Sequence, residues 1–316
     1  MSDNPAREFQ SYLFFLRHFS ALIRAGRHAA YGNPLLVAIS VAQAPLIANA
    51  GPDAFTVAEQ HNLRKYLFTA WNSECVARLS SLFDPEVRRF TNQWKPVQSY
   101  YATYFGLVAS QYAVAKRIQR AHEPTINYAT NSLVHWMPVP WCCRLNYDSH
   151  ALHHFPPNTA THGPSGWNLA NNEPYFHLAC SLRITAFRRQ SETLSDLRRR
   201  RRRIPAGQAR AGRLYTRGDV RAGTVSFFDV LWRFRRWANY HEGDTIIEGG
   251  EVQDHAVEFD ARFNEIMDTT ALLCESVVGR KVGTPALRAW YDEFLHLTQG
   301  RMDTMTVERR RAILCP

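Results

Sequence analysis

Residues 94–116 read WKPVQSYYATYFGLVASQYAVAK, and the fold class turns on how that stretch is read. Tyr100, Tyr101, Tyr104, Phe105, Val108, Tyr112 and Ala115 fall on spacings of three and four, the period of a helix with a broad apolar face. Pro96 stands in the first turn, where a missing N–H costs nothing. The spacing predicts a helix over 97–120, rich enough in aromatics to sit inside a core.

The same period recurs on both sides. In 8–28 the residues Phe9, Tyr12, Leu13, Leu16, Phe19, Leu22 and Ile23 form one apolar stripe. The stretch 55–83 opens on Thr56 and Glu59, the spacing of a capping box. Pro85 and Pro96 bracket a short piece. Pro174 introduces a helix over 175–189, and Ser226 is placed to cap one carrying Phe228, Val230, Leu231, Phe234 and Trp237. Another runs over 252–278, and Thr284 with Pro285 starts a last substantial helix ending near Gly300. The expectation is an all-α bundle with two long interruptions. Residues 1–121 form its N-terminal helical part, and 122–172 an irregular insertion with short strands around 132–139. Then come a helix at 173–190, a mobile Arg-rich arm at 191–223, and a C-terminal helical part at 224–316, all within one domain.

With 316 residues, 45% of them hydrophobic, the chain has material for a sizeable core, which excludes disorder as the default. Its net charge of +10 is concentrated in one place. Between Arg183 and Arg236 there are 16 arginines and no lysine against Glu192, Asp196, Asp219 and Asp229, a local balance of +12 that leaves −2 for the remainder. An acidic partner is implied. The polar start and amphipathic first helix argue against a secretory signal, and the apolar run 34–50, PLLVAISVAQAPLIANA, holds Gln43 and Pro45 and reads as a kinked core helix rather than a membrane span. Six cysteines without regular spacing suggest reduced thiols and a cytoplasmic protein. There is no Walker A sequence, no GxGxxG after a strand, no HExxH and no GxSxG, so several nucleotide-binding and hydrolase classes lose their signature.

Three features bear chemistry. The first is the run Arg235-Arg236-Trp237-Ala238-Asn239-Tyr240-His241. Histidine titrates near neutrality and can move a proton from a ribose 2′-OH, whereas arginine stays charged and can hold two phosphate oxygens. Arg236 and His241 have four residues between them, as do Arg117 and His122, and Asn239 offers an amide nearby. The second is the arginine series Arg198, Arg199, Arg200, Arg201, Arg202 and Arg203, continued by Arg210, Arg213, Arg217 and Arg221. Such an arm neutralises phosphates, with binding that depends steeply on salt and little on sequence. The third is the set His150, His153, His154 and His162, with Cys142, Cys143 and Asp148 upstream. Lacking any CxxC pair, it reads as packing within the insertion, beside Tyr147, Phe155 and Trp167, and no metal site is assigned.

Residues 94–116 together with 224–241, TVSFFDVLWRFRRWANYH, resemble HEPN-fold proteins of bacteria. Many of these have a tyrosine-rich helix followed later by an Arg-(four to six residues)-His motif. The resemblance covers 60–121 and 175–279, although Trp237 stands where the family often has Asn, Asp or His. It implies an up-and-down helical bundle, a homodimer with composite sites, and metal-independent endoribonuclease activity in antiviral defence or toxin–antitoxin pairs. By the resemblance Arg236 is the motif arginine and His241 its histidine, with Arg235 assisting, and products carry 2′,3′-cyclic phosphate ends. RNA is favoured over DNA, no cofactor is required, and no membrane is involved. A non-catalytic HEPN-like scaffold, holding nucleic acid or a partner protein, is the alternative.

Overall fold

The computed structural model describes residues 5–25, 52–117, 121–138, 140–147, 160–162, 174–202, 223–240, 246–247, 253–299 and 301–316. Within them the protein is all-α in class. The helices are α1 (Pro5–Ala25), α2 (Val57–Arg78), α3 (Pro85–Thr91), α4 (Lys95–Ala115), α5 (His122–Asn131), α6 (Pro174–Arg202), α7 (Phe227–Tyr240), α8 (Gln253–Val282), α9 (Thr284–Thr298) and α10 (Met305–Leu314). Three short strands, β1 (Arg144–Tyr147), β2 (Ala160–His162) and β3 (Gly223–Ser226), form an antiparallel sheet in the order β2-β1-β3.

The central element is α4, which holds the tyrosine-rich stretch. It is buried along most of its length and packs against α2, α5, α7 and α8. It lies close against α8 at Gly106, where an added Cβ would lie 3.2 Å from Cys274 Cβ. One turn on, Ser110 Oγ donates to Cys274 O at 3.1 Å, so the contact is both tight and hydrogen-bonded. The helix stops at Lys116, which adopts the left-handed conformation (φ 51°), four residues before the expected end.

The apolar stripe of α1 is wholly buried, and Arg17 and Arg24 on its outer side each make a two-bond pair, with Glu258 and Glu265 of α8. The Thr56/Glu59 capping box is present in full, and Pro285 occupies the first turn of α9. At the start of α7, Ser226 Oγ accepts from the Phe228 N–H at 3.3 Å, while the Asp229 carboxylate accepts from the Ser226 N–H at 2.8 Å.

Two expectations are corrected. The helix after Pro174 does not end near 190 but continues through Arg202, so the first five arginines of the run are helical rather than part of a mobile arm. Consecutive residues on a helix point about 100° apart, and arginine is a good helix former, so adjacent charges are tolerated. Leu194 is buried and Arg199 pairs with Asp196 at 2.5 Å, both of which hold the extension. In the insertion, 132–139 carries no strand among its described residues. Residues 122–131 are α5, and Leu133–Trp136 form a 3-10 turn with Leu133 and Val134 buried. The strands come later, and β1 pairs with β3 at the far end of the basic segment. The run 34–50 lies outside the described residues. No helix among those described is long and apolar enough to cross a membrane.

A buried ionic network ties the C-terminal helices to the bundle. Arg310 of α10 reaches Glu74 of α2 at 2.5 Å, and both Glu275 at 2.8 Å and Asp268 at 2.7 Å on α8. Glu275 also accepts from Trp71 Nε1 at 2.6 Å and from the Tyr291 hydroxyl. Burial alone would raise the Glu74 carboxyl, but the Arg310 guanidinium overrides it and holds it at about 2.

Candidate nucleic-acid interface

Helices α6 and α7 pack beside each other and leave a cleft of about 190 Å³ lined by Arg188, Arg189, Arg233 and Arg236 together with Trp232 and Glu192. Local sequence explains the arrangement. On α7, Trp232 and Arg236 are four residues apart and so share a face, while Phe234 and Trp237 turn into the core. The guanidiniums of Arg189 and Arg236 both lie over the Trp232 ring, at 5.4 and 5.5 Å from its centroid.

Each of these cations has an internal counter-ion, and the counter-ions differ in kind. Arg189 pairs with the fully buried Asp229 and also reaches Glu123 at 3.2 Å and Asn127 at 3.3 Å on α5. Burial raises the Asp229 carboxyl, while Arg189, Ser226 and Thr130 draw it back. This pair is part of the scaffold. Arg236 instead meets Glu192 at 2.5 Å in a largely exposed contact, the side chains 35% and 48% accessible. A second, more open recess continues outward past Ser195, Asp196 and Arg199 toward the arginine run.

Arg235, one residue before, points elsewhere. Its Nη2 donates to the Tyr101 hydroxyl at 2.9 Å and its guanidinium lies over Tyr100 and Tyr101 of α4, with Nε buried and without a hydrogen-bond partner among the described residues. Tyr100 OH in turn bonds His122 Nδ1 at 2.8 Å, and the Tyr104 ring lies tilted against the same imidazole, centroids 4.4 Å apart. Burial, and after it the positive charge of Arg235, lowers the His122 pKa, so at neutral pH the ring is uncharged.

The sequence-chosen residues therefore separate. Arg235 and Arg236 occupy different environments on one helix, Asn239 is half-buried on the same helix, and His241 lies outside the described residues. Arg198 and Arg199 are exposed, and Arg200, Arg201 and Arg202 complete α6. Arg203, Arg210, Arg213, Arg217 and Arg221 are outside the described residues. So are Asp148, His150, His153 and His154, and among the described residues no three His, Cys, Asp or Glu converge as metal ligands. Sequence reasoning missed Arg189, Trp232 and the buried Asp229, and mentioned His122 only for its spacing from Arg117. The α7 pattern Trp232-x3-Arg236 was the available signal. The partner helix carrying Arg189 was not deducible from it.

Fold and site together define an all-α protein with an arginine–tryptophan cleft. Comparison with protein-family models, with curated proteins and with solved structures finds no match to this chain.

Proposed function

We propose that this chain is a HEPN-like RNA-binding protein that seats the phosphate backbone of a single strand in the α6–α7 cleft and along the arginines that follow it on α6. The observation carrying this reading is that Arg236, ion-paired with the exposed Glu192 carboxylate, stands over Trp232 on the cleft wall, with Arg198 to Arg202 extending the adjoining helix. An exposed ion pair is worth about 0–1 kcal/mol, so a phosphate can take Arg236 from Glu192 at little cost. The indole beside it offers a surface on which an unstacked base can lie. The arginines then supply affinity without sequence readout.

Cleavage is a second reading, favoured by the Arg235–Tyr101 and Tyr100–His122 contacts. They place a fixed cation and a neutral imidazole on one aromatic cluster, the two groups that proton transfer from a 2′-OH and stabilisation of a phosphorane require. In this reading His122, as well as His241, is a candidate proton carrier, and no metal takes part. Labelled single-stranded RNA and its DNA counterpart, titrated with full-length protein in EDTA, test both. Binding weakened in Trp232→Ala and Arg236→Gln, with the circular dichroism of wild type, supports the interface. Binding unchanged in both variants removes it. Cleavage abolished by His122→Ala or His241→Ala supports catalysis, and intact RNA with wild type across pH 5–9 leaves a binding protein.

A further inference from the structure

The α6–α7 cleft has depth. Among its lining residues Thr185, Asp229 and Trp237 are buried and make its floor, whereas Arg188 and Glu192 are exposed at its mouth. At about 190 Å³ it is smaller than the pockets of about 300–1,000 Å³ that enclose a whole ligand, so it has room for one end of a longer molecule. A phosphate inside a strand carries a sugar on both sides and passes along a surface. A terminal phosphate can enter such a cleft head first. The outer recess shares Arg189, Glu192, Trp232 and Arg236 with the cleft and runs on to Asp196 and Arg199, which gives the rest of the strand a way out along α6.

Charge selects the kind of end. Arg188, Arg189, Arg233 and Arg236 line the cleft against two carboxylates, Asp229 and Glu192, an excess of two positive charges. Glu123, which also reaches Arg189, lines the outer recess instead. A hydroxyl end brings no charge and a phosphodiester brings one. A phosphate monoester brings about −1.5 to −2 near neutral pH, with three strong acceptor oxygens. Arginine suits those oxygens because its planar fork donates to two of them at once. At the floor, Arg233 Nη1 donates to Thr185 Oγ1 at 2.7 Å and Ser181 O at 3.2 Å, neutral acceptors that fix the guanidinium without cancelling its charge. Trp232 on the wall offers the terminal base a surface.

We infer that the cleft recognises the end of an RNA strand, taking a terminal phosphate monoester between Arg233 and Arg236 while the phosphates behind it follow α6 past Arg199. This rests on the RNA-binding reading and names the part of the RNA that the cleft takes. Isothermal titration calorimetry of the full chain with short unlabelled RNAs of one sequence, differing only in their ends, is the test. The four RNAs carry hydroxyls at both ends, a 5′-phosphate, a 3′-phosphate, or a 2′,3′-cyclic phosphate. At least one monophosphate RNA is expected to bind about tenfold more tightly than the dihydroxyl RNA, the worth of one further charge-assisted hydrogen bond. The cyclic form, a singly charged diester, should match the dihydroxyl RNA. Arg236→Gln and Arg233→Gln, with thermal melts confirming the fold, should each shrink the preference. Equal affinity for all four RNAs overturns the proposal and leaves RNA binding standing. A preference that both folded variants keep, or one shown equally by the cyclic end, also overturns it. No binding to any of the four removes the RNA-binding reading itself, and this inference with it.

Discussion

Arg235 and Arg236 are neighbours in sequence and part company on the helix. Because successive side chains are about 100° apart, one joins the tyrosines of α4 and the other faces Glu192 across the cleft. That divergence could not be read from an Arg-(four to six residues)-His spacing, which admits both arginines and puts them at one site. At this scale the cleft makes an asymmetric demand. Glu192→Gln frees Arg236 and should tighten RNA binding by up to about fivefold, the worth of one exposed ion pair, whereas Trp232→Ala should weaken it by about 1–3 kcal/mol. Fluorescence anisotropy with a short labelled RNA reads both. His122 carries a pH signature. Its folded pKa lies below the ordinary 6.5, so its contribution to stability is present above that value and is lost as pH falls through the folded pKa. Thermal melts between pH 7.5 and 5 should therefore fall more steeply for wild type than for His122→Asn.

At the level of elements, much of the helical content was legible because local signals and tertiary packing agree. The α1 stripe, the Thr56/Glu59 box, the Ser226 cap and the Pro285 start each rest on nearest neighbours in sequence. The misreadings arose where long-range contacts decide. The extension of α6 beyond residue 190 depends on Leu194 finding a buried place, and α10 is held by Arg310 rather than by an apolar stripe. That arginine is fully buried against three carboxylates, so its pattern in MTVERRRAIL looks like a solvated face. Removing one partner of a buried network leaves uncompensated charge, and Arg310→Leu should cost about 3–5 kcal/mol in urea unfolding. Glu74, held at about 2 against an ordinary 4.5, contributes stability that is present above pH 4.5 and lost as pH falls toward 2. The acid limb of the stability curve should be shallower in Glu74→Gln than in wild type.

Across the whole molecule, the +10 charge resolves into a near-neutral helical body and one arginine-bearing edge. The structure divides that edge further. Arg189 and Arg233 are bound into the scaffold, Arg233 through Thr185 at 2.7 Å, while Arg198, Arg199 and Arg236 are accessible to a ligand. The composition revealed the excess but not this division, because pairing with Asp229 and Glu192 depends on how α6 and α7 meet.

Salt dependence distinguishes RNA held by its phosphates from RNA held by base contacts. Single-stranded RNA titrated between 50 and 200 mM salt should give a log–log slope of about −3 or steeper, since each neutralised phosphate contributes about −0.7. The variant Arg198→Gln/Arg199→Gln/Arg236→Gln should lower its magnitude by about 2. No binding at 50 mM salt, or a slope that the triple variant leaves unchanged, would contradict the account.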